Sequence, residues 1–524
     1  MAMTMGTYYS RDSKRKVPAF IHNEKCWPEV DKISPCESAC PLHMDVPNYI
    51  IAIAQGNPTK ALSIIRETNP LPSICGRVCH HPCETDCNRK VVDSPIAIQW
   101  LKQYAADWGQ EEKPDPVPRV KEAKVAVVGS GPAGLTAAHD LVKKGYGVSV
   151  FEAAAIPGGI LSSAIPDFIL SKEAVQKDID YIRALGVQIH TGISIGKDIS
   201  METLRNQGFK ALLIATGAQK SAMLNIPGAE LAGITPALAY LKEAKRGFLR
   251  PFEGRVWVIG GGAVAMDVAR TAMRNGAREV HIACLESREN MPAFAWEIEA
   301  AEKENVCIHP SLAPQQFTSN SGFKVNGIKF KRVASTSVDS DGRINWTLKE
   351  GIGSDYEVEA DAVVVAIGQT IDKDNLPVEN PDINRRGSIF VKEASGETGS
   401  PGVFAAGDVS GTGRTVSESM AAGRRAALSI DQYLSNKPVT PSKNTMSVIT
   451  IKPEQVPSYF VRRDRWEMPG LSSKQALSTN KEVNLGYAKW QAIEEANRCL
   501  NCRMCANCIF ERGQLCFETA SRLL

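Results

Sequence analysis

Residues 124–134, KVAVVGSGPAG, constrain the fold of this chain more than any other stretch. A short β-branched run at 125–128 reads as a buried parallel strand. It leads into Gly129-x-Gly131-x-x-Gly134, with Pro132 and Ala133 between, and then into a helical pattern over 135–144. The first glycine permits a tight turn, the second lets backbone approach a pyrophosphate, and the third lets helix pack on strand. The helix N-terminus turns its unpaired N–H groups toward the phosphates. A second strand at 148–151 ends at Glu152, an acid placed to accept from both ribose hydroxyls. A glycine-rich turn in an ordinary α/β domain is the plain alternative, and a lone G-x-G-x-x-G would not exclude it. Strand, glycines, helix, strand and acid in this order point to a dinucleotide.

The pattern occurs twice. Residues 255–259 read as a strand, followed by Gly260-Gly-Gly262-Ala263-Val264-Ala265-Met-Asp267 at the start of a helix reaching 275. Alanine in the third place still permits close helix packing. The next strand, 279–285, ends at Glu286, whose carboxylate favours a ribose 2′-OH over a 2′-phosphate and so favours NAD(H). Arg288, two residues on, is the alternative reader, able to take a phosphate bidentately or to serve in a surface ion pair. A strand at 211–214 ends in Ala215-Thr216-Gly217, and Pro157-Gly158-Gly159 forms a turn. A strand at 362–366 leads to Ile367-Gly368, and 403–406 lead to Gly407-Asp408 before a helix start near Ser417. The second dinucleotide fold therefore reads as inserted into the first, whose sheet is expected to resume beyond residue 362.

A chain of 524 residues exceeds one core and predicts three or four domains. A net charge of +3 over that length predicts no nucleic-acid partner. No stretch reads as a transmembrane segment, and the expected location is the cytoplasm. Fourteen cysteines in a reducing compartment call for metal rather than disulfides. Seven lie before residue 90, five after 498, and only Cys284 and Cys307 between, as packing residues. The first group is Cys26, at a spacing of its own, then Cys36-x3-Cys40-Pro, a helical pattern over 46–67, and Cys75-x3-Cys79-His-His-Pro-Cys83-x3-Cys87. Thiolates in a proline-interrupted segment suit an iron–sulfur cluster, with zinc as the structural alternative. The flavin-type fingerprint next door favours iron. His80 and His81 read as neighbours of the cluster rather than ligands. The tail, Cys499-x2-Cys502-x2-Cys505-x2-Cys508-x7-Cys516, has five cysteines for four places. Its spacing selects Cys502, Cys505, Cys508 and Cys516 as a second [4Fe–4S] cluster and leaves Cys499 out.

With these motifs in hand, the chain resembles the small (β) subunit family of glutamate synthase. The same flavoprotein unit occurs in the N-terminal part of dihydropyrimidine dehydrogenase and in the large subunit of NADH-dependent ferredoxin:NADP oxidoreductase. The resemblance runs from about Cys36 to Cys508 and rests on CxxxCP, CGRVCHHPCE, GSGPAG, IPGG, ATG, GGGAVAMDVAR, MPA at 291–293 and AAGD. It implies FAD in the first fold, NADH or NADPH in the second, and [4Fe–4S] clusters in an N-terminal helical domain. It also implies that Asp408 lies along the FAD ribityl–phosphate chain, with Gly158 and Gly159 near the flavin. By the same likeness Cys40, Cys79 and Cys83 would hold an inner cluster. Its fourth ligand is open, because Lys102, with Gln103 adjacent, stands where relatives often have Glu or Gln, and Cys75 is the nearest thiol. The chain departs from the family elsewhere too. The family's Cys-x2-Cys just before the residue matching Cys36 is missing, and many NADPH-using relatives have two arginines where this chain has Leu285-Glu286.

The expected architecture is α/β, with two Rossmann-like domains, one inserted in the other. Its divisions are a helical iron–sulfur domain over 1–118, an FAD-binding domain over 119–250 and 362–436, a NAD(P)H-binding domain over 251–361, and a tether with a ferredoxin-like segment over 437–524. No Ser/His/Asp set and no disulfide-forming Cys pair beside the flavin is found, so no general base is assigned. A nicotinamide nucleotide, a flavin and one-electron clusters together describe an electron-transfer subunit serving a redox partner in a larger complex. A stand-alone reductase of a small molecule is the alternative enzyme, and a scaffold that uses clusters only for assembly is the non-enzymatic one.

Overall fold

The computed structural model describes residues 7–9 and 16–18 as a strand pair, then 32–248, 251–252, 254–339, 344–377, 381–385, 387–440, 446–456 and 462–502. Its first parallel sheet runs in the order Val403–Ala405, Phe209–Ile214, Lys124–Val128, Gly147–Glu152, Gln188–Thr191. Val125, Ala126 and Val127 in the middle strand are fully buried, as a strand covered on both faces requires. The helix Pro132–Lys143 returns along this sheet. The helix Val416–Leu434, opened by a Thr415–Glu418 capping box, presses against it. The contact is backbone to backbone: a Cβ on Gly423 would stand 2.1 Å from the Ala133 carbonyl oxygen.

The second parallel sheet runs Cys307–His309, Glu279–Ala283, Arg255–Ile259, Ala362–Val365, Ile234–Pro236. Here the sequence expectation is corrected. Residues 362–365 do not resume the first sheet; they pair in parallel with Arg255–Ile259, Val256 opposite Ala362. Among the described residues beyond 361, only Val403–Ala405 returns to the first sheet, beside Phe209–Ile214. The physical reason is that each fingerprint strand needs a parallel neighbour on its far side, and Ala362–Val365 supplies it for the second fold as Phe209–Ile214 does for the first. The inserted unit also reaches further back than residue 251, to take in Ile234–Pro236. The chain passes between units along a two-stranded antiparallel ribbon, Lys220–Ser221 against Gln369–Thr370. An antiparallel sheet of Leu312–Thr318, Gly327–Val338, Ile344–Leu348 and Asp355–Glu359 covers the second unit, packing Phe317 and Phe330 against Trp257.

The units dock through charged and aromatic side chains. Phe168 of the first unit lies under the guanidinium groups of Arg270 and Arg274, at 4.8 and 3.8 Å. Lys245 of the second reaches Asp167 at 3.0 Å.

The N-terminal region is a set of short helices, Pro35–Ala39, Val46–Ala54, Pro58–Thr68, Pro72–Val78, Pro82–Thr85 and Ile98–Trp108. The single helix expected over 46–67 is two. Gly56 turns at φ +74°, Asn57 caps the second helix by accepting from Lys60 N–H at 2.9 Å, and Pro58 starts it without an N–H. The C-terminal segment folds back onto this region. Ser447–Val448 pairs in parallel with Lys32–Ile33. Glu495, fully buried, accepts from Ala97 N–H at 2.9 Å and from Trp466 N–H at 3.1 Å.

Candidate functional site

The first crevice is built at the end of Lys124–Val128. Gly129 turns at φ +104°, so tightly that a Cβ would stand 2.4 Å from the Ala215 carbonyl oxygen. Gly134 has no more room, since its Cβ would lie 2.0 Å from the Gly129 oxygen. Gly131 caps the helix that begins at Pro132, and a Cβ there would meet nothing within 4 Å. That open cradle, facing a helix N-terminus, fits a pyrophosphate. Gly158 and Gly159 close over it at φ +119° and +59°, and a Cβ on Gly159 would be 3.1 Å from the Gly131 Cα. Ala133 forms another wall, 3.1 Å from where a Gly407 Cβ would be. Thr216 and Gly217 follow the neighbouring strand, with the Thr216 Cα at 3.1 Å from the same Gly129 position.

Glu152 closes the second strand and is partly engaged. Its Oε2 accepts from Ser130 N–H at 3.0 Å and from the Ser130 hydroxyl at 2.6 Å, while Oε1 accepts from Ala154 N–H at 2.9 Å. A carboxylate has about four acceptor positions, so capacity for ribose hydroxyls remains. Ser130 in turn accepts from Gly158 N–H at 2.8 Å, tying the fingerprint turn to the glycine pair. Ser130 occupies an unspecified position of the motif, which is why sequence reasoning passed over it. Asp408 follows Gly407 in a short 3-10 turn; burial pushes its carboxyl up to about 6 against a hydrogen bond from Ser419.

The second crevice repeats the construction. A Cβ on Gly260, at φ +135°, would stand 2.2 Å from the Ala366 oxygen, as Gly129 does to Ala215. Gly262 caps the helix Ala263–Arg274, which carries Val264, and a Cβ at Gly262 would again meet nothing within 4 Å. Gly368, at φ +121° and open, therefore follows a strand of this unit and not of the first. Glu286 is buried, its Oε2 3.2 Å from a Cβ built on Gly261, at the turn of its own fingerprint. Arg288 pairs with Glu302 at 2.8 Å. Asp267 is half-buried in the fingerprint helix. Burial first, and then the Glu297 carboxylate, push it up to about 8 against Arg270 and Lys245.

The N-terminal thiols form two groups. Cys40, Cys75, Cys79 and Cys83 are buried around Lys102. Burial alone would lower the Lys102 ammonium, and the four thiols outweigh it, holding it above the usual lysine range. Cys75 lies 3.3 Å from the Met420 sulfur, on the helix Val416–Leu434 of the first unit. An all-thiol donor set of this kind fits an iron–sulfur cluster. Among the described residues no three His, Cys, Asp or Glu side chains stand where they would hold a single metal ion. Cys36 and Cys87 belong elsewhere: they line a cavity with Cys499 and Cys502. Of the tail cysteines, Cys502 thus lies beside the N-terminal domain, with Cys499, set aside on spacing, in the same lining. Cys505, Cys508 and Cys516 lie outside the described residues.

The loop between Cys79 and Cys83 touches both nucleotide-binding units. The His80 Nδ1 is 3.4 Å from the hydroxyl of Ser417, at the start of the helix Val416–Leu434. The His80 ring stacks on Phe294 at 5.7 Å, and His81 lies 4.2 Å from Trp296. Phe294 and Trp296 stack on each other at 4.6 Å. The aromatic residues of the 294–296 segment carry no local signal of this contact, because their partners are more than two hundred positions away in the chain.

A family model described as pyridine nucleotide-disulphide oxidoreductase matches residues 123–423. A second, described as dihydropyrimidine dehydrogenase domain II, 4Fe-4S cluster, matches residues 17–114. The chain is 35% identical over 502 residues to the beta subunit of NADP(+)-dependent formate dehydrogenase from Moorella thermoacetica, covering 90% of this chain and 70% of that one. It is 35% identical over 527 residues to the beta subunit of NADPH-Fe(3+) oxidoreductase from Geobacter sulfurreducens, covering 93% and 77%. To the glutamate synthase [NADPH] small chain of Azospirillum brasilense it is 32% identical over 428 residues, covering 78% and 87%. Mycobacterium tuberculosis FprA in complex with NADPH shares the fold at a TM-score of 0.52, with 20% identity over 60% of this chain and 85% of that one. No helix among the described residues is long and apolar enough to cross a membrane. The protein is an oxidoreductase that binds FAD, NAD(P)H and a 4Fe-4S cluster, and its relatives are subunits of larger enzymes. Two fingerprint crevices joined to a thiol-rich helical domain thus identify the chain as a member of the pyridine nucleotide-disulphide oxidoreductase family, in its glutamate synthase small-chain-like branch.

Proposed function

We propose that the chain is the nucleotide-oxidising subunit of a reducing-compartment complex, passing electrons from NADH to a partner protein. The observation that carries this reading is the Cys79–Cys83 loop, whose His80 meets Ser417 of one nucleotide unit and Phe294 of the other. A centre held by Cys79 and Cys83 would thus adjoin a loop that touches both nucleotide units. Bound FAD would accept a hydride and release electrons singly, and a [4Fe–4S] cluster would take them one at a time.

The chain's own residues do the rest. Gly129, Gly131, Pro132, Ala133, Gly134, Glu152, Gly158, Gly159, Thr216, Gly217, Gly407, Asp408 and Ser417 form the FAD site. Gly260, Gly262, Ala263, Val264, Asp267, Glu286 and Gly368 form the nicotinamide-nucleotide site. Cys40, Cys75, Cys79 and Cys83 would hold the inner cluster, and the Lys102 ammonium among them would favour its reduced, more negative state. The inserted nucleotide unit comprises the chain between Lys220–Ser221 and Gln369–Thr370.

The names of the relatives specify NADP(+) or NADPH. This chain carries an acid, Glu286, shortly after the strand Glu279–Ala283 of its inserted fold. Glu286 would repel a 2′-phosphate, a penalty of a few kcal/mol in a partly desolvated site. Arg288, the residue able to compensate, is paired with Glu302. Anaerobic reduction of the bound flavin by each nucleotide tests the assignment. NADH is expected to give the higher kcat/KM in dye reduction, and Glu286→Arg to move the preference toward NADPH by roughly tenfold or more. Wild-type turnover favouring NADPH, or an unchanged preference in the variant, refutes the assignment. Efficient turnover of a small organic substrate by the chain alone refutes the subunit role.

A further inference from the structure

Cys36, Cys87, Cys499 and Cys502 come from widely separated parts of the chain and line one cavity. Cys36 lies in the helix Pro35–Ala39, and Cys87 follows the helix Pro82–Thr85. Cys499 and Cys502 come after the helix Lys489–Ala496. The rest of the lining is largely apolar, including Ile50, Ile96 and Leu500. Two polar groups are directed at the sulfurs. Asn88 Nδ2 lies 3.4 Å from the Cys502 sulfur while also donating to the Ile449 carbonyl at 3.0 Å. The Ser34 hydroxyl lies 3.3 Å from the Cys36 sulfur. Directed N–H and O–H donors are what thiolate sulfur bound to metal receives from its surroundings.

The tail is held in this position by bonds that do not involve sulfur. Arg498 is buried and donates to Asp93 at 2.8 Å, to the Ser94 carbonyl at 2.6 Å and to Glu495 at 2.7 Å. Arg89 donates to the Arg498 carbonyl at 2.9 Å. These clamps stand immediately before Cys499 and two residues after Cys87, so the backbone presenting each of these sulfurs is held. The 4Fe-4S family match ends at residue 114 and contains only Cys36 and Cys87 of the four.

We propose that Cys36, Cys87, Cys499 and Cys502 are the ligands of a second [4Fe–4S] cluster, closed by the C-terminal segment. It deepens the reading of the N-terminal domain as a cluster carrier and rests on it. The tail Cys-x2-Cys then supplies the two thiolates missing upstream of Cys36. The outer cluster is shared between the two ends of the described chain, and Cys502 is not available to a cluster made with Cys505, Cys508 and Cys516.

The test uses the full chain purified anaerobically, with iron, zinc and flavin counted per chain and the reduced protein examined by electron paramagnetic resonance. The double variant Cys499→Ser/Cys502→Ser and the single variant Cys36→Ser should each lose about four irons and the same resonance component. Cys505→Ser/Cys508→Ser should keep that component. Flavin content equal to wild type in every variant establishes that the fold is intact. Iron and resonance unchanged by Cys499→Ser/Cys502→Ser, a different component lost from Cys36→Ser, or zinc in this site overturns the proposal. Wild type devoid of iron overturns the functional reading with it, whereas iron that survives Cys499→Ser/Cys502→Ser overturns this proposal alone.

Discussion

Gly131 and Gly134 lie three positions apart in one turn, and the same added methyl group would act on them in opposite ways. At Gly131 it projects into open space with an ordinary backbone conformation, so Gly131→Ala leaves the packing of the apoprotein alone and blocks the cradle. At Gly134 it meets the Gly129 carbonyl at 2.0 Å, and the helix must back away from the strand. Gly131→Ala is expected to fold with apo stability within about 1 kcal/mol of wild type yet purify with little FAD. Gly134→Ala is expected to lose about 1–3 kcal/mol as apoprotein as well. Flavin absorbance and thermal unfolding of the stripped proteins separate the two, and equal destabilisation would contradict the division of roles. Both glycines were legible in the sequence because the motif is local and each position has its own steric duty. Ser130 was not, since its links to Glu152 and Gly158 depend on how two later segments close over the turn.

The crossing of the helices Pro72–Val78 and Ile98–Trp108 decides where Lys102 stands. They pack so closely at Gly76 that a Cβ there would lie 2.7 Å from the Gln103 Cα. Gly76→Ala is expected to push the helices apart and draw Lys102 away from Cys75 and Cys79. Its measured effect should be reduced iron retention, about half or less of the inner cluster's complement, with FAD content unchanged. Retention of wild-type iron would show that the crossing is not what sets the thiol geometry. At this scale the sequence told less. The apolar run Ala362–Val365 announces a strand, but nothing in it names its neighbour, and two sheets in the chain could each have taken it. Periodicity over 46–67 carried across Pro58 because both resulting helices bury the same kind of face. Spacing within the tail suggested a self-contained cluster and carried no sign that Cys499 and Cys502 line a cavity with Cys36 and Cys87, some four hundred positions away.

Across the whole molecule, the C-terminal segment holds the N-terminal domain through a buried cluster of charges. Burial pushes Asp93 up, but hydrogen bonds from Arg89 and from the backbone N–H groups of Arg463 and Ser94, with the Arg89 charge, hold it well below the usual carboxylate range. A depressed carboxyl stabilises the fold fully above its unfolded value, and that contribution is lost as pH falls toward the folded value. Asp93→Asn is expected to cost on the order of 2 kcal/mol at pH 7 and to expose residues 462–502 to limited proteolysis. The difference from wild type should narrow as pH drops below about 4. A gap that widens in acid would contradict the sign. The strap also has a consequence for biosynthesis. Cys36 and Cys87 leave the ribosome some four hundred residues ahead of Cys499 and Cys502. At ordinary elongation rates that interval is about 20–80 s, during which the first pair waits without its lid. The inner thiols can be loaded early from a single domain, while the outer site becomes a site only once both nucleotide units have been made, so metal insertion there reports that both units have been synthesised.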